Sequence, residues 1–109
     1  MATITEDYCS KEIYRLLLEK WFDGEIHTTF DDDGYTQPSI TLQMAMKWLR
    51  EVHNIDIIVP PQYNNVKWTY SAIIIKLSIP CTEIRLNDNK DKKEEACEAA
   101  IKYCLKNLI

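Results

Sequence analysis

The sequence predicts an α+β fold: an antiparallel sheet of three or more strands with helices packed on one face, in the order helix, hairpin, helix, three strands, helix. Three observations carry this. Apolar residues recur at helical spacing in three separate stretches. The β-patterned segments between Ile55 and Leu86 follow one another through connections too short for a crossover helix, which favours an antiparallel meander. Only two glycines occur in 109 residues, and no stretch is Ser-rich, Gly-rich or repeated, so nothing reads as a linker and residues 1–109 are expected to form a single domain.

The first helix is read in SKEIYRLLLEKWFDG. Ser10 is placed to cap its N-terminus by accepting a bond from an orphan backbone N–H. Ile13, Leu16, Leu17 and Trp21 fall on one face, and Gly24 is expected to take the left-handed conformation that ends the helix. In EIHTTFDDDGYTQPS, Ile26, Thr28 and Phe30 alternate with His27 and Thr29, and Asp33-Gly34 is a tight-turn dipeptide, which predicts a small hairpin ending before Pro38. TLQMAMKWLREVHN has the strongest helical pattern. Thr41 is its cap, Asn54 closes it, and Leu42, Ala45, Trp48, Leu49 and Val52 form one stripe that leaves out Lys47, Arg50 and Glu51.

IDIIVPP reads as a strand stopped by Pro60-Pro61, QYNN as a turn and VKWTYSAIIIKLSI as one long β segment. Val66, Trp68, Tyr70, Ala72 and Ile74 share a face of that segment. Ile73 and Ile75 point the other way, so its middle is expected to be covered on both sides or bent. CTEIRLN is a short third strand. The last helix is expected to start near Asp91, with Glu94 completing a capping box, and to bury Ala96, Ala99, Ala100, Tyr103, Cys104 and Leu108.

Composition is that of an ordinary globular chain, 46% hydrophobic and 28% charged, long enough to bury roughly two-thirds of its unfolded surface. The net charge of -4 has the sign opposite to that of a phosphate-gripping protein. No apolar run approaches a membrane span. The start, MATITEDYCS, is polar and acidic, so no secretory leader is expected and a reducing cytoplasm is the expected setting. Cys9, Cys81, Cys97 and Cys104 form no CxxC pair. The last two lie two helical turns apart, about 10 Å, too far for a disulfide within one helix.

TFDDDGYT has the outline of a calcium loop. With Gly34 at its sixth position, Asp31 and Asp33 take the third and fifth, but Thr29 and Ile40 take the first and twelfth, so the ligand set is incomplete and an acidic turn is expected. His27 adjoins acidic residues, and His53 sits at a helix C-terminus, where the dipole favours a cation. No spacing joins Ser, Cys and His in a nucleophile motif. No catalytic, cofactor-binding or metal-ligating residue is assigned, and neither a cofactor nor an enzymatic activity is expected. Trp48, Trp68 and Tyr70 are the residue types that stack on bases, but at these spacings they are expected to fill the core. Any of them left exposed points to a protein interface.

From the second helix onward the element order resembles the double-stranded RNA-binding domain, over roughly the last 65 to 70 residues. That family sets lysines at the start of its final, Ala-rich helix on phosphates, and the resemblance gives that role to Lys90, Lys92 and Lys93. Glu94, Glu95 and Glu98 depart from the pattern, and PPQYNN lacks the family's Gly-Pro-containing loop with its histidine. TLQMAMKWLREVHNIDIIV, KWTY and EEACEAAIKYCLKNLI together are similar to a group of small uncharacterised proteins of gut anaerobic bacteria and their phages or mobile elements. That similarity implies no activity. The expected function is a small protein-binding accessory or regulatory module, phage-related, whose partner is another protein. Nucleic-acid binding through Lys90, Lys92 and Lys93 is the first alternative, and an enzyme with no recognisable motif is the second.

Association with duplex RNA is expected to be weak and salt-sensitive, because clustered cations are few and Glu94, Glu95 and Glu98 repel phosphate. Anisotropy titration at physiological salt checks this. Sub-micromolar binding that disappears in the Lys92→Ala, Lys93→Ala double variant would overturn it.

Overall fold

The computed structural model describes residues 8–30, 33–87 and 89–109. Its elements are α1 (Lys11–Glu19), β1 (His27–Phe30), β2 (Thr36–Ser39), α2 (Leu42–His53), β3 (Ile55–Ile58), β4 (Pro61–Tyr63), β5 (Trp68–Tyr70), β6 (Ile73–Lys76), β7 (Thr82–Arg85) and α3 (Lys93–Asn107). Every pairing between these strands is antiparallel, and the fold is α+β as the sequence predicts.

Two of the three helices keep their expected caps. The Ser10 hydroxyl accepts from the Ile13 N–H, and the Thr41 hydroxyl accepts from the Met44 N–H at 3.1 Å. Asn54 closes α2 in the left-handed conformation. α1 ends earlier than expected. The left-handed residue is Trp21, not Gly24, so the Trp21 ring leaves the core face and is 88% exposed. Phe22 is buried in its place, edge-on to Trp48 at 5.5 Å. Gly24 serves a close approach instead, since a Cβ there would lie 2.5 Å from the Phe22 ring. Val52 is exposed at the last turn of α2, beyond the reach of the core.

α3 departs most. It begins at Lys93, its N-cap Lys92 makes no side-chain cap bond, and Asp91 pairs with Lys67 at 2.6 Å rather than capping. Its buried face is Ala96, Cys97, Ala100, Ile101, Cys104 and Leu105, while Ala99, Tyr103 and Leu108 lie half-buried at the margins. The expected stripe is thus turned by about one residue. The reason is tertiary: α3 packs against α1, α2 and β5 together, so its core-facing arc is broad and centred on Ile101 and Leu105.

The hairpin of β1 and β2 turns at Gly34, which has φ +85. Its ladder runs past Pro38, paired with Thr28, to Ser39, two residues beyond the expected end. His27 and Thr29 face inward, whereas Ile26 and Phe30 are exposed.

The expected long β segment is a single strand path with an interruption. Ile58 faces Ile73 in one pairing and Pro61 faces Tyr70 in the next, three residues on in both strands, so no residue is inserted and the ribbon keeps one register. The gap falls where Pro60, opposite Ser71, has no N–H to donate. Gln62 and Tyr63, expected in a turn, belong to β4. On the other flank β7 pairs with β6, the Leu86 N–H reaches the Ala72 carbonyl, and Lys90 exchanges both backbone bonds with Tyr70 at 2.7 and 2.8 Å. Thr69, Ser71 and Ala72 are all buried, so the path is covered on both sides there. Ile55, Ala72 and Ile74 face the helices; Ile73 and Ile75 face away and are half-buried.

Truncating the centre of the α3 face is expected to cost most. Ile101→Ala removes a fully buried side chain, worth about 2–5 kcal/mol. Tyr103→Ala, at the margin, is expected to cost less, and Lys92→Ala with Lys93→Ala no more than about 0.5 kcal/mol. Urea denaturation orders the three, and a Tyr103 variant weaker than the Ile101 variant contradicts this packing.

Candidate functional site

Beyond the Pro60 interruption the ribbon continues as β4 and β5, with the start of α3 against β5. Its turn is closed by Asn64, whose side-chain oxygen accepts the N–H groups of Val66 and Lys67 at 3.1 and 3.0 Å, with Asn65 left-handed behind it. Tyr63 and Trp68 are therefore the last facing pair of the ladder. By strand alternation they share the face that carries Ile57 and Ile74 over the core, but both remain exposed. Their ring centroids are 5.2 Å apart and tilted by 39°. Each residue is 57% exposed, and Val66 at the turn is 83% exposed.

The outer ribbon is tied to the start of α3. Lys67 and Asp91 form the 2.6 Å ion pair, and the Lys67 hydrogen bond and charge hold the Asp91 carboxyl below its ordinary range. The backbone pairing of Tyr70 with Lys90 lies one step further in. Of the lysines that the RNA-binding resemblance singles out, Lys90 is half-buried, and Lys92 and Lys93 are exposed at the helix start beside Glu94 and Glu95.

Farther along α3 the charges are mixed. A cleft of about 320 Å³ between the starts of α1 and α3 is lined by Glu12, Lys90, Glu95, Glu98 and Lys102. Glu98 accepts the Ser10 N–H at 2.7 Å, and Glu12 pairs with Lys102 and Lys106 at 3.1 and 3.5 Å. The Lys102 hydrogen bond and charge, then Lys106, lower the Glu12 carboxyl.

The expected core aromatics divide. Trp48 is buried, Tyr70 half-buried and Trp68 exposed: Trp48 packs from α2 against Phe22 and His53, Tyr70 packs on the core, and Trp68 stands at the outer end of β5. Tyr63 was expected in a turn, and the signal that places it is local: Tyr63 and Trp68 flank a four-residue Asn-containing turn, which sets them opposite each other.

The histidines make local contacts. His27 lies between the Tyr8 hydroxyl, 3.3 Å from Nδ1, and Glu25, 3.2 Å from Nε2. His53 packs edge-on to Trp48 at 4.7 Å. Of the outlined calcium loop, Asp31 lies outside the described residues, Thr29 donates to the Gln37 carbonyl and Ile40 is fully buried. Among the described residues no cluster of three or more His, Cys, Asp or Glu could hold a metal, and no helix is long and apolar enough to cross a membrane. Compared with protein-family models, curated proteins and solved structures, the chain matches none.

Burial separates the thiols. It pushes Cys9, with help from the Glu98 charge, and Cys104 up to about 12 from 9.0. Cys97 is also buried and Cys81 is exposed. A thiol reagent is expected to modify Cys81 first in the native protein and all four cysteines after denaturation. The raised thiols also set a sign. Their contribution to stability is complete below about 9 and is lost as pH rises toward 12, because only the unfolded chain releases these protons in that window. Denaturation midpoints at pH 8 and pH 10.5 should therefore fall more in the natural chain than in a Cys9→Ser, Cys104→Ala variant. An equal fall in both refutes it.

Proposed function

We propose that this chain is a small protein-binding accessory or regulatory module and that its partner docks on Tyr63, Val66 and Trp68 at the end of the ribbon. The observation that carries the reading is the exposed Tyr63–Trp68 pair, packed ring against ring on a turn closed by Asn64. Aromatic side chains already ordered in the free protein lose little entropy when covered, and Tyr and Trp are the types that most often dominate binding energy. Three neighbouring exposed apolar residues form a patch, whereas scattered ones carry no such meaning. A cytoplasmic setting belongs to the proposal through the polar, acidic start of the sequence and its unpatterned cysteines, and a phage relation through the sequence similarity alone.

One observation favours a second reading, nucleic-acid binding: the ribbon's ties to Lys90 and Asp91 bring Trp68 close to the start of α3, where Lys92 and Lys93 are exposed. Asp91 precedes those lysines and Glu94 and Glu95 follow them, and the chain as a whole is acidic, which weighs toward protein.

The test is affinity capture from the native host with mass spectrometry, with and without nuclease. The expected result is a protein partner retained after nuclease and by the Lys92→Ala, Lys93→Ala variant, and lost at least tenfold in Trp68→Ala. Capture that survives Trp68→Ala removes the ribbon as the docking site, and capture abolished by nuclease transfers the case to the second reading.

A further inference from the structure

The three-stranded sheet of β3, β6 and β7 has two outer edges, and they differ. Ladder alternation shows which backbone groups face outward. The Leu86 N–H bonds the Ala72 carbonyl, so even-numbered residues of β6 and β7 bond each other, and odd-numbered residues of β6 turn toward β3. On β3 the outward N–H groups are those of Ile55 and Ile57, and the neighbouring Asp56 carboxylate takes that of Ile57 at 3.0 Å. Farther out, Pro61 has no N–H to offer. Those two features weaken that edge as a template for strand pairing.

On β7 the outward groups belong to Glu83 and Arg85. Thr82, Glu83 and Arg85 are exposed, and among the described residues no backbone hydrogen bond occupies those outward groups. The two side chains lie on one face of the strand, 2.8 Å apart.

A second copy pairing antiparallel on this edge must set outward residues against outward residues. That leaves two-fold registers centred on Glu83, on Ile84 or on Arg85. The first faces Glu83 with itself and the third faces Arg85 with itself, and like charges directly opposite destabilise a ladder. Centring on Ile84 sets Glu83 of each copy against Arg85 of the other, twice, with the half-buried Ile84 side chains meeting on the opposite face. Both charged pairs are then hydrogen-bonding pairs that exchange two backbone bonds each. The strand is self-complementary in one register only.

We propose that β7 is the interface of a two-fold dimer of this chain, in the register that sets Glu83 of each copy opposite Arg85 of the other. The partner is a second copy because the edge matches its own reversed charge order. The strand has four residues, so the contact is smaller than a standard interface of about 1,600 Å² and the dimer is reversible. This interface is separate from the aromatic ribbon and does not rest on its role.

Analytical ultracentrifugation of the whole chain under reductant, from about 20 μM to about 1 mM, tests it. The natural chain is expected to pass from monomer to dimer. Glu83→Arg alone and Arg85→Glu alone each put like charges in register and are expected to weaken association at least tenfold. An equimolar mixture of those two variants is expected to form a heterodimer, and the double variant Glu83→Arg, Arg85→Glu to recover self-association. Both positions are exposed, and circular dichroism confirms that each variant is folded. Trp68→Ala is expected to dimerise as the natural chain does. A natural chain that stays monomeric at 1 mM overturns the proposal. So does association that ignores the single reversals, a mixture that does not associate, or a dimer lost in Trp68→Ala.

Discussion

Burial of one face of α3, from Ala96 to Leu105, is the interaction on which the other elements depend. The helix touches α1, α2 and the outer part of the central strand path, and its small residues let the backbones approach while Ile101 and Leu105 fill the middle. The polar groups around it follow from that placement. Glu98 satisfies the Ser10 N–H at the start of α1, the bond that a glutamate three residues after the cap would ordinarily make. Position 13 cannot supply it, because Ile13 belongs to the core. Lys20 donates to the Ile109 carbonyl at the other end, so α1 and α3 run in the same direction.

The long strand path from Trp68 to Lys76 is the second organiser. Its inner half lies in the three-stranded sheet under the helices, and its outer half carries the aromatic pair into solvent. Pro60 separates the two by one missing donor without shifting the register. The outer half keeps its place chiefly through the two Tyr70–Lys90 backbone bonds, since the exposed Lys67–Asp91 pair competes with water and salt. Backbone pairing thus decides where Tyr63 and Trp68 point, and the edge character of β3 and β7 decides where another strand could be added.

Much of this was legible in the chain. Thr41 and Asn54 bound α2, Asp33-Gly34 turns the first hairpin, and the α+β class follows from helical stripes around short-linked strands. These features depend on neighbours a few residues apart, where hydrogen-bond geometry and allowed dihedrals leave few choices. Readings failed where a residue's fate depended on distant partners. Trp21 has the spacing of a core residue but sits where α1 must end, and Tyr103 has the size of one but lies at the edge of a broader contact.

The candidate site divides in the same way. Residue order alone puts Trp68 and Ile74 on one strand face, sets the lysines before an Ala-rich helix, and places Glu83 and Arg85 on either side of one residue with opposite charges. Periodicity and spacing are local properties and survive in any fold that keeps the elements. Packing after folding sets the rest: Trp68 stays exposed at the outer end of β5, Asp91 binds Lys67 rather than capping α3, and among the described residues the Asp56 carboxylate takes an outward N–H of β3 while no backbone bond occupies the outward groups of β7. Each of these depends on which surfaces lie within a few ångströms after packing, and spacing along the chain carries no information about that distance.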